Sequence, residues 1–238
     1  MKADDLLVRL KSEIERLKNP AKAQLLQGFF KTGKGEYAEG DIFFGITVPI
    51  QRTLAKKHQE LPLKDIQRLL KSKVHEERLI SLFMLVHNFK KGKERVKKQI
   101  YDLYLGSTSH INNWDLIDSS APLIVGQYLM NKPKGILHKL AKSRSIWDRR
   151  ISVLATFWFI RQGQFKDSIN IATILLQDKH DLVQKAVGWM LREIGNRDLK
   201  TELKFLDQHY KVMPRTMLRY AIEKFPEKFR LKYLKRNG

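Results

Sequence analysis

Four stretches of this 238-residue chain read alike, each beginning 36 residues after the one before: Glu77 to Phe89, Asn113 to Val125, Arg149 to Arg161 and Lys185 to Arg197. Each carries apolar residues at helical spacing. They are Leu79, Leu82, Phe83 and Val86 in the first, Leu116, Ile117 and Leu123 in the second, Ile151, Leu154 and Trp158 in the third, and Val187, Met190, Leu191 and Ile194 in the fourth. The stretches between them, such as Gly135 to Lys142 and Ile169 to Leu176, are also patterned as helices, which gives one antiparallel helix pair per repeat. A lone pair cannot bury its apolar face. Stacked pairs bury a continuous core and curve into a concave surface lined by the second helix of each pair. The expected architecture is therefore an all-α solenoid of stacked antiparallel helix pairs, in one domain over residues 1–238.

A two-helix period near 36 residues is that of a HEAT-like α-solenoid. Candidate N-caps are Ser72, Asn112, Ser145 and Asp181, and Pro214 suits a first helical turn. One segment breaks the pattern. After helices over Asp5 to Leu17 and Ala21 to Phe30, an insert spans residues 31–49, and five of the 13 glycines lie between Gly28 and Gly45. Such a backbone needs freedom that a helix does not, so a short loop or β-hairpin is expected near residues 31–45. Two phosphate-loop patterns almost form here and fail. Gly28-x4-Gly33-Lys34 is followed by Gly35 where a Ser or Thr would hold magnesium, and both it and Gly33-x-Gly35-x-x-Ala38 follow a helix instead of a strand.

The charge narrows the partner. With 46 Lys and Arg against 25 Asp and Glu, the chain carries +21 at pH 7. Repulsion of that size destabilises a compact state, and a polyanion that releases its condensed counterions on binding offsets it, which points to nucleic acid. A membrane surface is the weaker reading. Met1 to Arg9 contains Asp4 and Asp5, and the longest apolar stretch, Ile151 to Ile160, is interrupted by Ser152 and Thr156 and is far short of the roughly 20 residues of a span. The absence of cysteine excludes disulfides, thiol nucleophiles and thiolate zinc sites and fits a reducing, cytoplasmic setting. The seven histidines show no ligand spacing, so neither a metal nor a cofactor is expected.

Residues able to do chemistry gather at the repeat entrances. In Asn112-Asn-Trp-Asp-Leu-Ile-Asp118, Trp114 and Asp118 are four apart and share a helix face. One repeat on stands Ile146-Trp-Asp-Arg-Arg150, and one further Lys185-Ala-Val-Gly-Trp-Met-Leu-Arg192, where Trp189 and Arg192 are three apart. Stacked repeats would turn these residues toward one concavity. Residue type alone also allows blander roles: Trp114, Trp147 and Trp189 as core, Asp118 as a cap or an arginine partner, and Arg150 and Arg192 as that partner. Trp158 is assigned to the core. For DNA chemistry the mixture is apt. Arginines grip phosphates, aromatic faces lie on sugar or base, and a lone carboxylate stabilises positive charge developing on a deoxyribose.

At Asn113-Trp-Asp-Leu-Ile-Asp-Ser-Ser-Ala-Pro122, Ile146-Trp-Asp-Arg-Arg150 and Lys185-Ala-Val-Gly-Trp-Met-Leu-Arg-Glu193 the chain resembles the AlkD family, bacterial HEAT-repeat glycosylases that excise cationic N3- and N7-alkylpurines. The resemblance implies that Trp114 and Trp189 contact the lesion-bearing nucleotide and that Asp118 is the catalytic carboxylate. It makes Arg150 and Arg192 backbone contacts, with Arg149 and Lys185 beside them on the DNA. It also implies a mechanism that holds sugar and backbone without a base pocket, unlike the usual extrusion of a target base.

The insert before Gly45-Ile-Thr-Val-Pro49 resembles a hairpin-bearing branch of the superfamily, some of whose members look like binders of branched or distorted DNA. Lys31, Lys34 and Tyr37 would then approach a minor groove; a lid over the first repeat explains them equally well. Three functions follow: a glycosylase on double-stranded, damaged DNA acting as a monomer, a non-catalytic binder of branched DNA, and a scaffold for an acidic protein. The tail from Arg215 to Arg236 has eight basic residues against Glu223 and Glu227 and is either one more phosphate-contacting helix or a solvated face.

Overall fold

A computed structural model describes residues 3–235 as all-α. The helices are α1 (Ala3–Arg16), α2 (Pro20–Phe29), α3 (Val48–Lys57), α4 (Leu63–Leu70), α5 (His75–Lys91), α6 (Glu94–Leu105) and α7 (Trp114–Asp118). A π-helical stretch, Pro122–Gly126, leads into α8 (Gln127–Leu129). There follow α9 (Gly135–Ala141), α10 (Ile146–Arg161), α11 (Lys166–Ile174), α12 (Asp181–Gly195), α13 (Leu199–His209), α14 (Arg215–Ala221) and α15 (Glu227–Leu234). The four similar stretches of sequence fall on α5, on α7 with the π-helical stretch, on α10 and on α12. No described helix is long and apolar enough to cross a membrane. The chain forms two compact units that divide after Ser120.

In the first unit α5 is the hub, with α3, α4, α6 and α7 packed around it and α1 against α4. Leu10 and Ile14 of α1, Ile66 and Leu69 of α4, Ile80, Leu82 and Leu85 of α5 and Tyr104 of α6 are fully buried. Helix-periodic apolar residues thus close into a core as their spacing requires.

The second unit is two layers of antiparallel pairs, the solenoid packing expected from the repeat. The π-helical stretch, α10, α12 and α14 succeed one another in one layer, and α9, α11 and α13 form the other against α10 and α12. Two glycines make the first layer possible. A Cβ on Gly126 would lie 2.2 Å from the Ala155 carbonyl of α10, and one on Gly188 would lie 2.4 Å from the Met217 carbonyl and 2.6 Å from Tyr220 Cβ of α14. These are backbone-to-backbone approaches that no rotamer change relieves. Gly188→Ala is therefore expected to destabilise the protein by roughly 2–3 kcal/mol, the upper part of the overpacking range, read as a lower midpoint in urea unfolding followed by circular dichroism.

Local signals shift by a residue in places. Ser145 caps α10 as expected, accepting from Asp148 N at 3.4 Å. The cap of α7 is Asn113 instead of Asn112, and that of α12 is His180, with Asp181 inside the first turn. Ser72 lies two residues before the cap Val74 and accepts its N–H. Pro214 is itself the cap residue of α14.

Of the two forms open to the insert, it takes the loop: no hairpin forms within residues 31–45. The N–H groups a hairpin ladder would use are taken elsewhere. Gly33 N donates to Glu36 and Gly35 N to Glu39, both at 2.8 Å. Lys31 turns out of α2 with φ +54°, and Gly35, Gly40 and Gly45 also adopt positive φ. At its end the loop pairs with the start of α5: Ile42 N donates to Lys73 O, His75 N donates to Ile42 O, and Ile42 and Val74 form an isolated parallel bridge.

Candidate active site

The first unit carries Trp114 and Asp118 at the two ends of α7, one helical turn apart and both half-buried. Asn113 Oδ1 accepts Trp114 N at 2.8 Å and fixes where the helix begins. It stops at Asp118 because Pro122, four residues on, has no N–H for that carbonyl. The indole joins a cluster of rings: Trp114 is stacked on Phe30 (centroids 5.3 Å, 20°), Phe30 on Phe43 (5.0 Å, 18°) and Phe43 on His75 (4.5 Å, 20°), and His75 is also 5.1 Å from Phe30. The exposed ring of Phe29 meets Trp114 edge-on at 6.0 Å.

Beneath the rings lies a buried charge network. His75 Nε2 is 2.8 Å from Asp115 Oδ2 and its Nδ1 is 3.6 Å from Asp41, to which Arg78 donates at 2.6 Å. Burial pushes His75 down, but the Asp115 carboxylate beside it, helped by Asp41, holds it above its ordinary 6.5. Burial likewise works against an ionised Asp41, yet the bonds from His75 and Arg78 keep it below its ordinary 3.8. The network sets the position of Asp115, and hence of α7, from α5 and the loop.

Asp118 acts on Tyr104 of α6. Burial is the main reason this phenol titrates well above its ordinary range, and the charge of Asp118 adds to it. Tyr104 Oη is 2.9 Å from Ser120 Oγ, which donates to Leu116 O at 2.5 Å.

In the second unit Trp189 is half-buried, its Nε1 donating to Glu193 at 3.2 Å and its ring 5.6 Å from that of Phe157. Arg192, 18% exposed, is paired with the exposed Glu223. The two other arginines face inward. Arg150 is only 5% exposed and its guanidinium donates to the Leu182 carbonyl at the start of α12. Arg149 donates to Asp178 at 2.6 Å and to the Ser143 and Arg144 carbonyls at 2.9 Å. Both tie α10 to its neighbours. Lys185 pairs with Asp181 at 2.8 Å. Lys31 and Lys34 are exposed on the insert, and Tyr37 is half-buried. Trp147 is buried, whereas Trp158, assigned to the core, is half-buried.

Phe30, Phe43, His75 and Asp115 were not singled out from the sequence. The available signal was Val74-His-Glu-Glu-Arg78, four titratable residues together at the head of an apolar helix; all four are buried.

The chain matches the family model described as DNA alkylation repair enzyme over residues 10–225. A comparison with curated proteins gives no match. Among solved structures, a predicted DNA alkylation repair enzyme from Enterococcus faecalis aligns with TM-score 0.70 at 14% identity, covering 88% of this chain and 97% of that one. AlkD2 from Streptococcus mutans aligns with TM-score 0.55 at 17% identity, covering 95% and 100%. The smu.31 protein of Streptococcus mutans UA159 aligns with TM-score 0.53 at 17% identity, covering 94% and 99%. At these identities the likeness to solved structures is one of fold.

Proposed function

This chain belongs to the DNA alkylation repair enzyme family, and from that premise we propose that it is a glycosylase that binds duplex DNA and releases cationic N3- and N7-alkylpurines. The observation that carries the reading is the pair on α7: an indole backed by Phe30 and, one turn on, the Asp118 carboxylate beside a phenol that stays neutral. An indole face lies against sugar or base, and the carboxylate meets the charge that develops on the deoxyribose. In the reaction the C1′–N9 bond breaks, and its electron pair neutralises the cationic base as it leaves. The sugar is left as an oxocarbenium ion next to Asp118. Water adds at C1′ and gives up a proton, for which Asp118 is the nearby acceptor, leaving an abasic site.

The charge of +21 supports a polyanionic partner. Lys31, Lys34, Lys185, Arg149, Arg150, Arg192, Trp189 and Tyr37 remain the candidate contacts. The two inward arginines would work by holding α10 and α12 in place as much as by touching phosphate. Arg192 is the cation with most to gain from DNA, because a phosphate would replace Glu223. Glu223→Gln is accordingly expected to tighten duplex binding by up to about fivefold at low salt, the span of an exposed ion pair, measured by fluorescence anisotropy against a salt series.

The test of the function is base release from a duplex containing N7-methylguanine. Excised base together with an abasic site supports the glycosylase. Tight, salt-dependent binding without release overturns it and favours the non-catalytic binder, while no DNA binding at moderate salt removes both in favour of an acidic protein partner.

A further inference from the structure

The first unit carries a row of cations where α3 packs along α5. Three contacts run in register between the two helices. The Arg52 guanidinium lies over the Phe83 ring at 4.1 Å, Lys56 is close enough to His87 to act on its charge, and Lys91 Nζ donates to Gln59 at 3.5 Å. Successive members stand three or four residues apart on each chain segment, so each set shares one face. Lys90, three residues after His87, joins the row. Arg52, Lys56, Lys90 and Lys91 are all exposed. From residue 83 to residue 91 the row is about 12 Å long at about 1.5 Å per residue. That is the axial length of roughly three to four phosphates on one strand of a duplex, at about 3.4 Å each.

Other lysines of this unit are spent on carboxylates. Lys57 pairs with Glu13 at 2.8 Å, Lys11 is 3.6 Å from Glu77, and Lys98 is 2.6 Å from Asp102. Among the described residues, Arg52, Lys56, Lys90 and Lys91 have no carboxylate partner. Their field is felt by half-buried His87: burial first, then Lys91, Lys56 and Lys90, hold it below its ordinary 6.5, and Glu60 opposes them. The row offers charge without a stacking platform. Phe83 is 7% exposed beneath Arg52, and no large apolar side chain is exposed within residues 52–59 or 83–91. A single strand, which stacks its bases on aromatic faces, finds none here. A membrane finds no apolar face to bury.

We propose that this row is a docking surface for the phosphate backbone of duplex DNA, with Arg52, Lys56 and Lys90 following one strand and Lys91 at its edge. The proposal rests on the DNA-binding reading and not on base release. The row meets phosphate alone, so damaged and undamaged duplex are held alike. Phosphates brought beside the three lysines cancel the field that acts on His87, so its imidazole titrates at higher pH in the complex than in the free protein.

The test is fluorescence anisotropy of the full chain with a labelled, undamaged duplex over a salt series, for the parent and two triple variants. One carries Arg52→Gln, Lys56→Gln and Lys90→Gln. The other carries Lys11→Gln, Lys57→Gln and Lys98→Gln, which removes the same net charge from exposed lysines that already have carboxylates. The row variant is expected to bind at least about tenfold more weakly at low salt and to lose about 2.7 from the slope of log affinity against log salt, at about 0.9 per phosphate contact. The control should lose less than about one. The His87 ring signal, assigned from His87→Gln, should titrate at higher pH when duplex is bound; this readout needs no change to the row and decides the matter if the row variant fails to fold. Equal losses in the two variants, an unchanged slope in a row variant with the parental circular dichroism spectrum, or an unmoved His87 titration would each overturn the proposal while DNA binding stands. A parent that binds no duplex overturns the DNA reading and the proposal with it. A parent that prefers polyglutamate to duplex, with that preference lost in the row variant, overturns it in favour of an acidic protein.

Discussion

Asp118→Asn is expected to lower the rate of base release from alkylated duplex DNA at least about a hundredfold, the order found when one electrostatic stabiliser of a transition state is removed, while duplex affinity should stay within a factor of about two. The substitution keeps the size of the side chain and its place at the end of α7. In the proposed mechanism it removes the negative charge that would meet the oxocarbenium ion. The ground state carries no such charge on the sugar, so single-turnover chemistry should fall while binding does not. Tyr104 offers a second reading of the same site. With Asp118 neutralised, one of the causes that hold this phenol above its ordinary range disappears, so its titration should begin at lower pH in the variant. An Asp118→Asn protein that releases base at the parental rate removes Asp118 from the chemistry. One that has lost binding as well makes Asp118 part of the DNA-contacting scaffold.

Glu202→Gln is expected to strengthen the fold at alkaline pH. Glu202, in the first turn of α13, is 1% exposed, and its Oε1 has no hydrogen-bond partner. Room for its carboxyl exists only because residue 195 is glycine: a Cβ there would lie 1.7 Å from Glu202 Oε2. Burial pushes the acid up to about 8 from its ordinary 4.5, against the pull of Arg192. The other titratable group coupled to it is Tyr233, whose phenol it helps to hold protonated. Because the folded-state value is the higher one, the contribution is fully present below pH 4.5. It is lost as pH rises towards about 8, where the unfolded chain has released the proton and the folded chain still holds it. At about 1.4 kcal/mol per pH unit that window amounts to roughly 4–5 kcal/mol. The parent should therefore unfold at progressively lower urea between pH 5 and 8, and the glutamine variant, which carries no charge at any pH, should show a much flatter profile and exceed the parent at pH 8. Parallel profiles for the two proteins would mean that the carboxyl is ionised in the fold.

The repeat was legible because its signal is local. Residues such as Val187, Met190, Leu191 and Ile194 announce a helix and its buried face within one turn of each other. Trp114 and Asp118 were legible for the same reason, as two residues four apart on one short helix. What escaped was either non-periodic or distant. A cavity in the first unit joins Phe30, Phe43, Gln51, His75 and Asp115, drawn from separate elements, and no spacing rule links them. Arg149 and Arg150 stand in a stretch that reads as a phosphate grip. Residue type cannot say that one would be spent on Asp178 and backbone carbonyls and the other buried against the start of α12. Gly188 looked like part of a functional phrase, and its visible task is to let α14 approach α12. The insert was legible as a loop or a hairpin: its glycines permit either, and the carboxylates of Glu36 and Glu39 decide for the loop.

Glu76 gathers three successive backbone N–H groups just where the insert returns to the helical body, and there the Phe44 carbonyl accepts the N–H of Asn19 at 2.8 Å. The loop is thus moored at its exit independently of what it does at its tip. A label placed at exposed Lys34 is therefore expected to report on the tip of the insert while the exit stays fixed.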